Sequence, residues 1–392
     1  MMVKRGRREH DDDEEEAAAV NCRNSKEGSS ASLLSSSSLR WRKKQYLERV
    51  HRCGDLIHDG ETYELCLTNQ VKIPNISSSS SSSSLFSGSK ATTGGSSDSE
   101  SSSSSSLLLP PSPDVDVHDY NNTPIINNNN SSNTNKEEVT SIVKDPLDFY
   151  QMLRIENPAP YSAYFSFRGG CLFGEKGFCI LSSSPERFIR ISRERVIESK
   201  PIKGTRPRGT TAEEDIVIKN DLKSSEKDFA ENLMIVDLTR NDLGRVCIPG
   251  TVKVPKLMHI ESYATVHQLV STVTGCLRTN ITSSDAVRAA FPPGSMTGAP
   301  KRRSCDLLAT LEGGRRGIYS GCIGFFGLGG GVDLNVVIRT VVWTPAMMTI
   351  GTGGAIIHMS EAEEEYEEML LKTRVILNAL QKYQSKTVSH AV

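Results

Sequence analysis

The sequence predicts an α+β fold built from two ordered stretches, residues 41–72 and 146–385, that form one discontinuous domain. Short runs rich in β-branched and aromatic residues are interspersed with three segments that carry helix start or stop signals. The strand-like runs late in the chain are joined by connections too short for a crossover helix, which favours antiparallel pairing.

The strand-like runs are short and bounded by turn residues. The first, at residues 62–67, follows a helix that ends near Gly60. The sequence GLGGGVD, residues 327–333, lies between two runs and predicts a hairpin turn. The later runs are, in chain order, AYFSFRG, FCILSSSP, FIRISRERVI, IYSGCIGFFGL, VDLNVVIRTVVW and TIGTGGAIIHM.

Three helices are predicted in the longer stretch. The first begins at Ser225, with an acidic residue at capping-box spacing, and runs to about residue 243. The second begins at Pro300 and ends before Gly313, in keeping with the preference for proline at helix starts and glycine after helix ends. The third begins at Ser360, where Glu363 completes a capping box.

Two low-complexity segments are predicted to lie outside the fold. Residues 1–40 are charged and then serine-rich, and they contain too few apolar residues to form a core. Residues 77–135 consist of serine runs followed by asparagine-rich sequence, which is typical of a disordered insertion. A long surface loop costs little additional closure entropy, so the insertion is compatible with one folded domain.

The composition argues against several classes of protein. The 392 residues have a formal net charge of −1, without the basic surplus of a nucleic-acid-binding protein. No apolar run is long enough to span a bilayer, and the acidic N-terminus is neither a secretory signal nor a typical transit peptide. The 9 cysteines include no C-x-x-C pair, which favours reduced thiols. We therefore expect a soluble, intracellular protein without nucleic-acid or membrane partners.

Acidic pairs lie near the starts of two predicted helices. Asp228 and Glu231 are three residues apart and share a helix face, and Glu365 and Glu368 have the same spacing. Carboxylates on two helices suit a hard divalent cation such as Mg²⁺. Acidic residues also favour first helical turns through the helix dipole, and for either helix alone this explanation is the stronger one. Glu231 directly precedes an apolar run, so a solvated face explains it poorly.

Lys203 lies in ESKPIKGTRPRG, a setting that a solvated lysine does not need. Its neighbours leave three roles open: a solvated charge, an anion clamp or a nucleophile. A nucleophilic lysine must be partly neutral, which requires burial or nearby cations that lower its pKa. Arg206 and Arg208 could supply such charges, or they could simply be exposed.

Further features suggest an anion-binding site. Arg339, in VDLNVVIRTVVW, would share a strand face with Val337 and Val341. A charge there must either bind an anion or form an internal salt bridge, and the sequence favours neither alternative. The segments GSMTGAPK and GTGGAI offer backbone N–H groups, although neither matches a nucleotide-binding fingerprint. His267 on its predicted strand is typical of a satisfied core histidine. Combined with the acidic pairs, these features predict a site for a small polyanionic substrate and a metal.

Several motifs together resemble one known family, the chorismate-utilising enzymes, which include anthranilate, isochorismate, salicylate and aminodeoxychorismate synthases. The resemblance covers residues 46–72 and 146–383, and it implies two stacked antiparallel β-sheets with outer helices and Mg²⁺ as cofactor. The motifs are, in order, SSSPERFIR, PIKGTRPRG, AENLMIVDLTRNDLGRVC, ESYATVHQLVSTVTG, FPPGSMTGAPKRRS, IYSGCIGFF, LNVVIRT and GTGGAI followed by EEEYEEMLLKTR.

The resemblance also implies roles for individual residues. Glu231 and Glu368 match magnesium ligands, with Asp228 and Glu365 nearby or acting through water. Glu186 matches an acid beside the hydroxyl that leaves. The remaining matches hold the enolpyruvyl carboxylate, lie beside the substrate ring or line the site: Arg339, Tyr319, His267, Ser295, Thr297, Gly353 and Gly354.

Lys203 separates the members of this family, since anthranilate and isochorismate synthases typically carry alanine at its position. P-I-K-G-T resembles the pattern of aminodeoxychorismate synthase component I. That resemblance implies covalent attack by Lys203 on chorismate with Glu186 as general acid. Ammonia from a glutamine amidotransferase domain or subunit then gives 4-amino-4-deoxychorismate, on the route to p-aminobenzoate and folate.

Two alternatives remain at this point: an anthranilate synthase component I, or an inactive, truncated subunit that only binds an amidotransferase. Family members usually have a substantial N-terminal portion before the segment that resembles residues 46–72. Its absence here predicts a fragment of a larger protein, with a bifunctional protein as one alternative. For a plant source the resemblance implies a plastid location.

Overall fold

Two antiparallel sheets of seven strands each organise the part of the chain that the computed structural model describes, residues 38–75, 141–169, 177–263 and 266–389. The predicted disordered insertion at residues 77–135 lies outside these ranges, as do residues 1–37 of the predicted disordered N-terminus. Residues 38–40 of that predicted segment are described, and Ser38 and Leu39 form a short strand, contrary to the prediction for these positions.

The first sheet has the strand order β1-β2-β14-β13-β4-β3, with the short strand β10 also paired to β2. The long pairing of β2 with β14 places Leu67 opposite Gly354 and Glu64 beside the end of that ladder. The strands of this sheet are β1 (Ser38–Leu39), β2 (Glu64–Pro74), β3 (Tyr161–Phe167), β4 (Phe178–Ser184), β10 (Gly298–Ala299), β13 (Thr340–Trp343) and β14 (Met347–Ile356).

The second sheet has the strand order β11-β12-β5-β6-β9-β7, with β8 also paired to β9. Register shifts occur in β7 and β8 where they pair with β9. The strands of this sheet are β5 (Arg187–Ile191), β6 (Val196–Lys200), β7 (Ile202–Pro207), β8 (Lys253–Ser262), β9 (Val266–Cys276), β11 (Cys322–Phe326) and β12 (Val332–Val336).

The α-helices of the described residues begin and end largely at local signals. Ser225 caps α4 by accepting a hydrogen bond from the backbone N–H of Asp228, and Gly313 ends α6 in the left-handed conformation. The helices are α1 (Lys43–His58), α2 (Pro146–Glu156), α3 (Ala212–Ser224), α4 (Glu226–Gly244), α5 (Ser283–Ala290), α6 (Lys301–Glu312) and α7 (Ala362–Ser389).

Among the described residues, three apolar clusters hold all the helices except α3 against the sheets. One packs α2 and α7 onto the first sheet around Phe149 and Leu181, and a second packs α1 and α6 near Tyr46. The third packs α4 and α5 onto the second sheet and includes Cys66 of β2, so it connects the two sheets. Burial of these apolar side chains is the main favourable contribution to folding.

The predicted α+β class with antiparallel sheets and helices is confirmed, as are the three predicted helices and the hairpin at residues 327–331. Two details differ. The third predicted helix begins at Ala362, two residues after its predicted start, and the hydroxyl of Ser360 donates to Oε1 of Glu365 at 2.7 Å. VDLNVVIRTVVW is two strands, β12 and β13, which belong to different sheets. No helix in the described ranges is long and apolar enough to cross a membrane.

Candidate active site

Lys203 lies on β7 between carboxylates contributed by two other elements. Its Nζ is 2.9 Å from Oε1 of Glu64, on β2, and 3.4 Å from Oε2 of Glu231, on α4. The side chains of Lys203 and Glu64 are 9% and 0% exposed. One buried amine therefore connects both sheets and a helix, and the solvated role considered for Lys203 is excluded.

The glycine that follows Lys203 allows β7 to approach the helices closely. Gly204 has φ +78°, a backbone conformation that side chains rarely adopt. A Cβ at this position would lie 2.7 Å from Cγ of Asp228 and 2.8 Å from a methyl carbon of Leu222. Glycine after Lys203 is therefore required by the close packing of β7 against α3 and α4.

The charge of Lys203 follows from its two carboxylate neighbours. Burial by itself favours the neutral amine, but the charges of Glu64 and Glu231 outweigh burial and raise the pKa of Lys203 above the ordinary lysine value. The side chain is thus held as a cation in this arrangement.

The two arginines of the same stretch, for which the sequence left open a role beside the amine or simple exposure, are paired with other carboxylates. Arg206 pairs with Asp221 at 2.8 Å and with Asp228 at 3.1 Å. Arg208 pairs with Asp215 at 2.7 Å. Their charges are engaged by carboxylates near the surface, where they support the packing of α3 and α4 on β7.

Two further lysines bind the acidic start of α7. Nζ of Lys227, on α4, is 2.7 Å from Oε1 of Glu365. Nζ of Lys372 is 2.7 Å from Oε1 of Glu368 and donates to the carbonyl of Gly353 at 2.9 Å. With Lys203 already described, three lysine side chains balance the carboxylates of this region.

The predicted magnesium ligands lie near one another without converging on one point. In the described part of the chain, no three His, Cys, Asp or Glu side chains group as a metal site requires. Glu231 and Glu368 are close enough for each charge to act on the other, whereas Asp228 is bound to an arginine.

The donor chemistry of these residues nevertheless fits Mg²⁺. Oε2 of Glu365 is buried and has no hydrogen-bond partner among the described residues. It lies 3.1 Å from the place that a Cβ on Gly354 of β14 would take. Hard carboxylate oxygens are the ligands that Mg²⁺ prefers, and an unpartnered one is available here.

Glu186 lies between β4 and β5, and its carboxyl accepts a hydrogen bond from the side chain of Ser295. Burial raises the pKa of Glu186 to about 7, although Ser295 and the charges of Lys203 and Lys372 oppose the shift. Glu186 and Ser295 both line one cavity. A carboxyl with such a pKa can hold a proton near neutral pH and donate it to a leaving group.

Arg339 does not lie on a strand, contrary to the prediction. It occupies the link between β12 and β13 with φ +48°, where the chain passes from one sheet to the other. Its Nη1 donates to Oδ1 of Asn157 at 3.3 Å, and no carboxylate of the described residues is within ion-pair distance. Burial lowers the pKa of Arg339. The internal salt bridge is absent there, so the guanidinium is available to an anion.

Tyr319 packs directly against β14. A Cβ on Gly351 would fall 2.1 Å from Cγ of Tyr319, so this contact requires glycine. Burial raises the pKa of the Tyr319 hydroxyl. The backbone N–H of Ser320 donates to the carbonyl of Val337 at 3.0 Å, which places Tyr319 beside the segment that carries Arg339.

His267 and Thr297 have partners within the protein. The ring nitrogens of His267 lie 2.7 Å from Oγ of Ser262 and 2.9 Å from Oδ1 of Asp215. Oγ1 of Thr297 donates to the carbonyl of Gly294 at 3.2 Å. Both side chains are buried and satisfied, and their roles toward a substrate stay predictions.

Comparison with known proteins identifies the family. The family described as chorismate binding enzyme matches residues 130–378. The chain belongs to the chorismate binding enzyme family. Anthranilate synthase component I from Streptococcus pneumoniae has a similar structure, with a TM-score of 0.61 and 26% sequence identity over 87% of this chain and 59% of that one. The menaquinone-specific isochorismate synthase of Escherichia coli shares the fold, with a TM-score of 0.62 and 16% identity over 88% of this chain and 62% of that one.

Curated relatives of this chorismate binding enzyme carry two names. The chloroplastic aminodeoxychorismate synthase of Arabidopsis thaliana is 43% identical over 87% of this chain and 29% of the relative. The aminodeoxychorismate synthase of Streptomyces pristinaespiralis is also 43% identical, over 86% of this chain and 36% of the relative. Anthranilate synthase component 1 of Mycolicibacterium smegmatis is 44% identical over 60% of this chain and 44% of the relative. The chain thus spans about a third of the length of the first two relatives.

Three charged residues of this chorismate binding enzyme's site escaped the sequence analysis. Lys372 follows Glu368 by four residues on a predicted helix, a spacing that brings side chains together and could have revealed it. Lys227 directly precedes Asp228 at the predicted helix start. Glu64 had only the weak signal of a lone acid in an apolar strand, and its partner is 139 residues away.

Proposed function

We propose that this chorismate binding enzyme is the chorismate-converting part of an aminodeoxychorismate synthase. Chorismate and ammonia would give 4-amino-4-deoxychorismate and water. The observation that carries the proposal is the position of Lys203, buried 2.9 Å from Glu64 and 3.4 Å from Glu231. A lysine held there is placed for covalent catalysis once it has given up a proton. The relatives named aminodeoxychorismate synthase in Arabidopsis and S. pristinaespiralis also align with more of this chain than the anthranilate synthase relative does.

The reaction follows as two displacements. Nζ of Lys203, after releasing one proton to solvent, forms a bond to the chorismate ring while the ring hydroxyl leaves. Glu186 donates its proton to that oxygen, so the hydroxyl departs as water and Glu186 becomes a carboxylate. Ammonia then bonds to the ring, the bond to Nζ breaks, and Lys203 leaves as the free amine. The proton released by the new ammonium group returns to Glu186, which restores its acid form.

Glu231, Glu365 and Glu368 would hold Mg²⁺, which when bound supplies positive charge to the carboxylates of the substrate. Asp228, on α4, would lie near this magnesium site or act on it through water. In the absence of other cations, Lys203, Lys227 and Lys372 balance these acids. They allow the acids to remain charged in a partly buried region.

Substrate orientation would depend on the residues that surround this acidic region. Arg339 offers a guanidinium fork to the enolpyruvyl carboxylate, and the hydroxyl of Tyr319 assists it. The backbone at Gly353 and Gly354 lies beside the same acids. The remaining predicted contacts, which line the pocket or lie beside the ring, are His267, Ser295 and Thr297.

A glutamine amidotransferase, as a domain or a subunit, would supply the ammonia. For a plant source we propose a plastid location, since the Arabidopsis relative is named as chloroplastic. Mixing the purified chain with a glutaminase subunit tests the first point: glutamine then replaces ammonium as the nitrogen source only if the two proteins cooperate.

The direct test incubates the full chain with chorismate, Mg²⁺ and ammonium, and then adds the lyase that releases p-aminobenzoate. We expect p-aminobenzoate from the wild type and none above background from Lys203→Ala. A wild type without product, or Lys203→Ala with undiminished product, overturns the proposal. Lys382→Ala serves as a matched control, because Lys382 pairs with Glu156 on the surface.

Anthranilate synthesis is the second candidate, favoured by the anthranilate synthase component 1 relative at 44% identity. The two reactions differ in the position of the new amine and in the loss of pyruvate. Anthranilate fluoresces and needs no lyase for release. Fluorescence that appears with chorismate, Mg²⁺ and ammonium alone would decide for this candidate.

A further inference from the structure

Glu64 is a buried carboxylate with a single described hydrogen-bond partner. It is 0% exposed, its Oε1 accepts from Nζ of Lys203 at 2.9 Å, and its Oε2 is buried without a partner in the described ranges. Burial of a charge is costly unless both the charge and its hydrogen bonds are compensated. This acid is therefore compensated mainly by Lys203.

Glu312 shows what a structural buried carboxylate looks like in the same protein. It is 3% exposed, and both of its oxygens accept hydrogen bonds. Oε1 accepts from the backbone N–H and the hydroxyl of Thr68, and Arg316 donates to both oxygens. Glu64 has no such set of partners, so stability alone gives a poor reason for its presence.

Nζ of Lys203 lies near two carboxylates, and the geometry favours the contact with Glu64. Its Nζ is 0.5 Å nearer to Glu64 than to Glu231, and only the contact with Glu64 meets hydrogen-bond geometry. Without Glu64, the ammonium would be attracted fully to Glu231. There it would compete with a divalent cation and leave its reactive position.

We propose that Glu64 is a positioning residue. It holds the amine of Lys203 at the point of attack and keeps that amine away from Glu231, so that Glu231 remains available to Mg²⁺. The inference rests on the proposed function, in which Lys203 attacks chorismate.

The test compares Glu64→Leu, which removes the acceptor at similar volume, with Glu64→Gln, which keeps an acceptor oxygen without the charge. We expect kcat to fall about a hundredfold in Glu64→Leu, as for a displaced catalytic group, with KM for chorismate within about threefold. Glu64→Gln should recover part of that loss. Glu61→Gln is the matched control, because Glu61 pairs with Arg303 at the surface.

Two readouts besides turnover separate positioning from mere stability. Intact-mass spectrometry without ammonium should show the chorismate adduct on the wild type. In Glu64→Leu the same adduct should form more slowly. Calorimetric titration with Mg²⁺ alone should show weaker binding to Glu64→Leu than to the wild type.

Each outcome bears on the proposal. A folded Glu64→Leu with the wild-type adduct rate and Mg²⁺ affinity overturns it, and so does an equal loss in the Gln and Leu variants. If the Leu variant does not fold, Glu64→Asp replaces it, and an unchanged kcat in that variant overturns the inference. A wild type that forms neither adduct nor product overturns the proposed function itself, and the inference with it.

Discussion

Arg316 and Glu312 form a two-point ion pair: Nη2 lies 2.7 Å from Oε1 and Nε lies 2.8 Å from Oε2. The same guanidinium donates to the carbonyls of Met296, at 2.6 Å, and Cys66, at 2.9 Å. The pair therefore fastens the end of α6, the segment after Ser295 and strand β2 to one point. The pair thus holds together three chain segments that lie near Ser295 and Glu64.

Arg316→Met is expected to lower the free energy of unfolding by about 3–5 kcal/mol, because Glu312 would remain as a buried charge without its counterion. Urea unfolding followed by circular dichroism measures the change. Arg303→Met, which breaks an exposed pair with Glu61, should change it by about 1 kcal/mol or less. Similar losses in both variants would contradict the importance of the buried pair.

Glu186 should determine the alkaline limit of activity. Its pKa is raised to about 7, so the acid form that protonates the leaving hydroxyl is lost as pH rises through that value. We expect kcat to decrease above about pH 7 and Glu186→Gln to abolish turnover. A wild-type kcat that stays constant between about pH 6 and about pH 9 contradicts this role.

The same raised pKa affects stability with a defined sign. Between the ordinary glutamate pKa near 4.5 and about 7, the unfolded chain loses a proton that the folded chain keeps. Folding stability attributable to Glu186 therefore falls as pH rises through this window, by about 3 kcal/mol at most. In Glu186→Gln this part of the pH dependence should be missing when urea midpoints are compared at either end of the window.

Arg339→Met is expected to affect binding and stability in opposite directions. The guanidinium has no described carboxylate partner and is partly buried, so methionine removes a desolvation cost and should maintain or raise the melting temperature. KM for chorismate should rise at least about tenfold, because a bidentate contact to a carboxylate is lost. A fall in melting temperature with unchanged KM would show that Arg339 is structural.

Magnesium should stabilise the wild type through the acids of α7. Addition of Mg²⁺ with chorismate is expected to raise the melting temperature, and Glu368→Gln should lose most of that shift. Glu367→Gln provides the control one residue away, since Glu367 is exposed and only contacts Arg374 at 4.0 Å. A wild-type shift that persists in Glu368→Gln would remove this residue from the metal site.

Much of the fold was predictable because its signals are local. The cap at Ser225 and the left-handed stop at Gly313 involve neighbours within a few residues, so the sequence predicted both helix ends. The prediction that the run around Arg339 forms one strand was wrong, because the apolar pattern continues while the chain passes from one sheet to the other. A period-2 pattern cannot show that transition.

The order of the motifs, from P-I-K-G-T to the acidic helix, determined the family by sequence alone. Only the tertiary structure showed that Lys203 is a buried cation held by Glu64, while Arg206 and Arg208 are engaged by other acids. The physical reason is that the charge state of a lysine depends on burial and on the distances to nearby charges. Those distances are set by strands far apart in sequence, here β2 and β7, and no local pattern contains them.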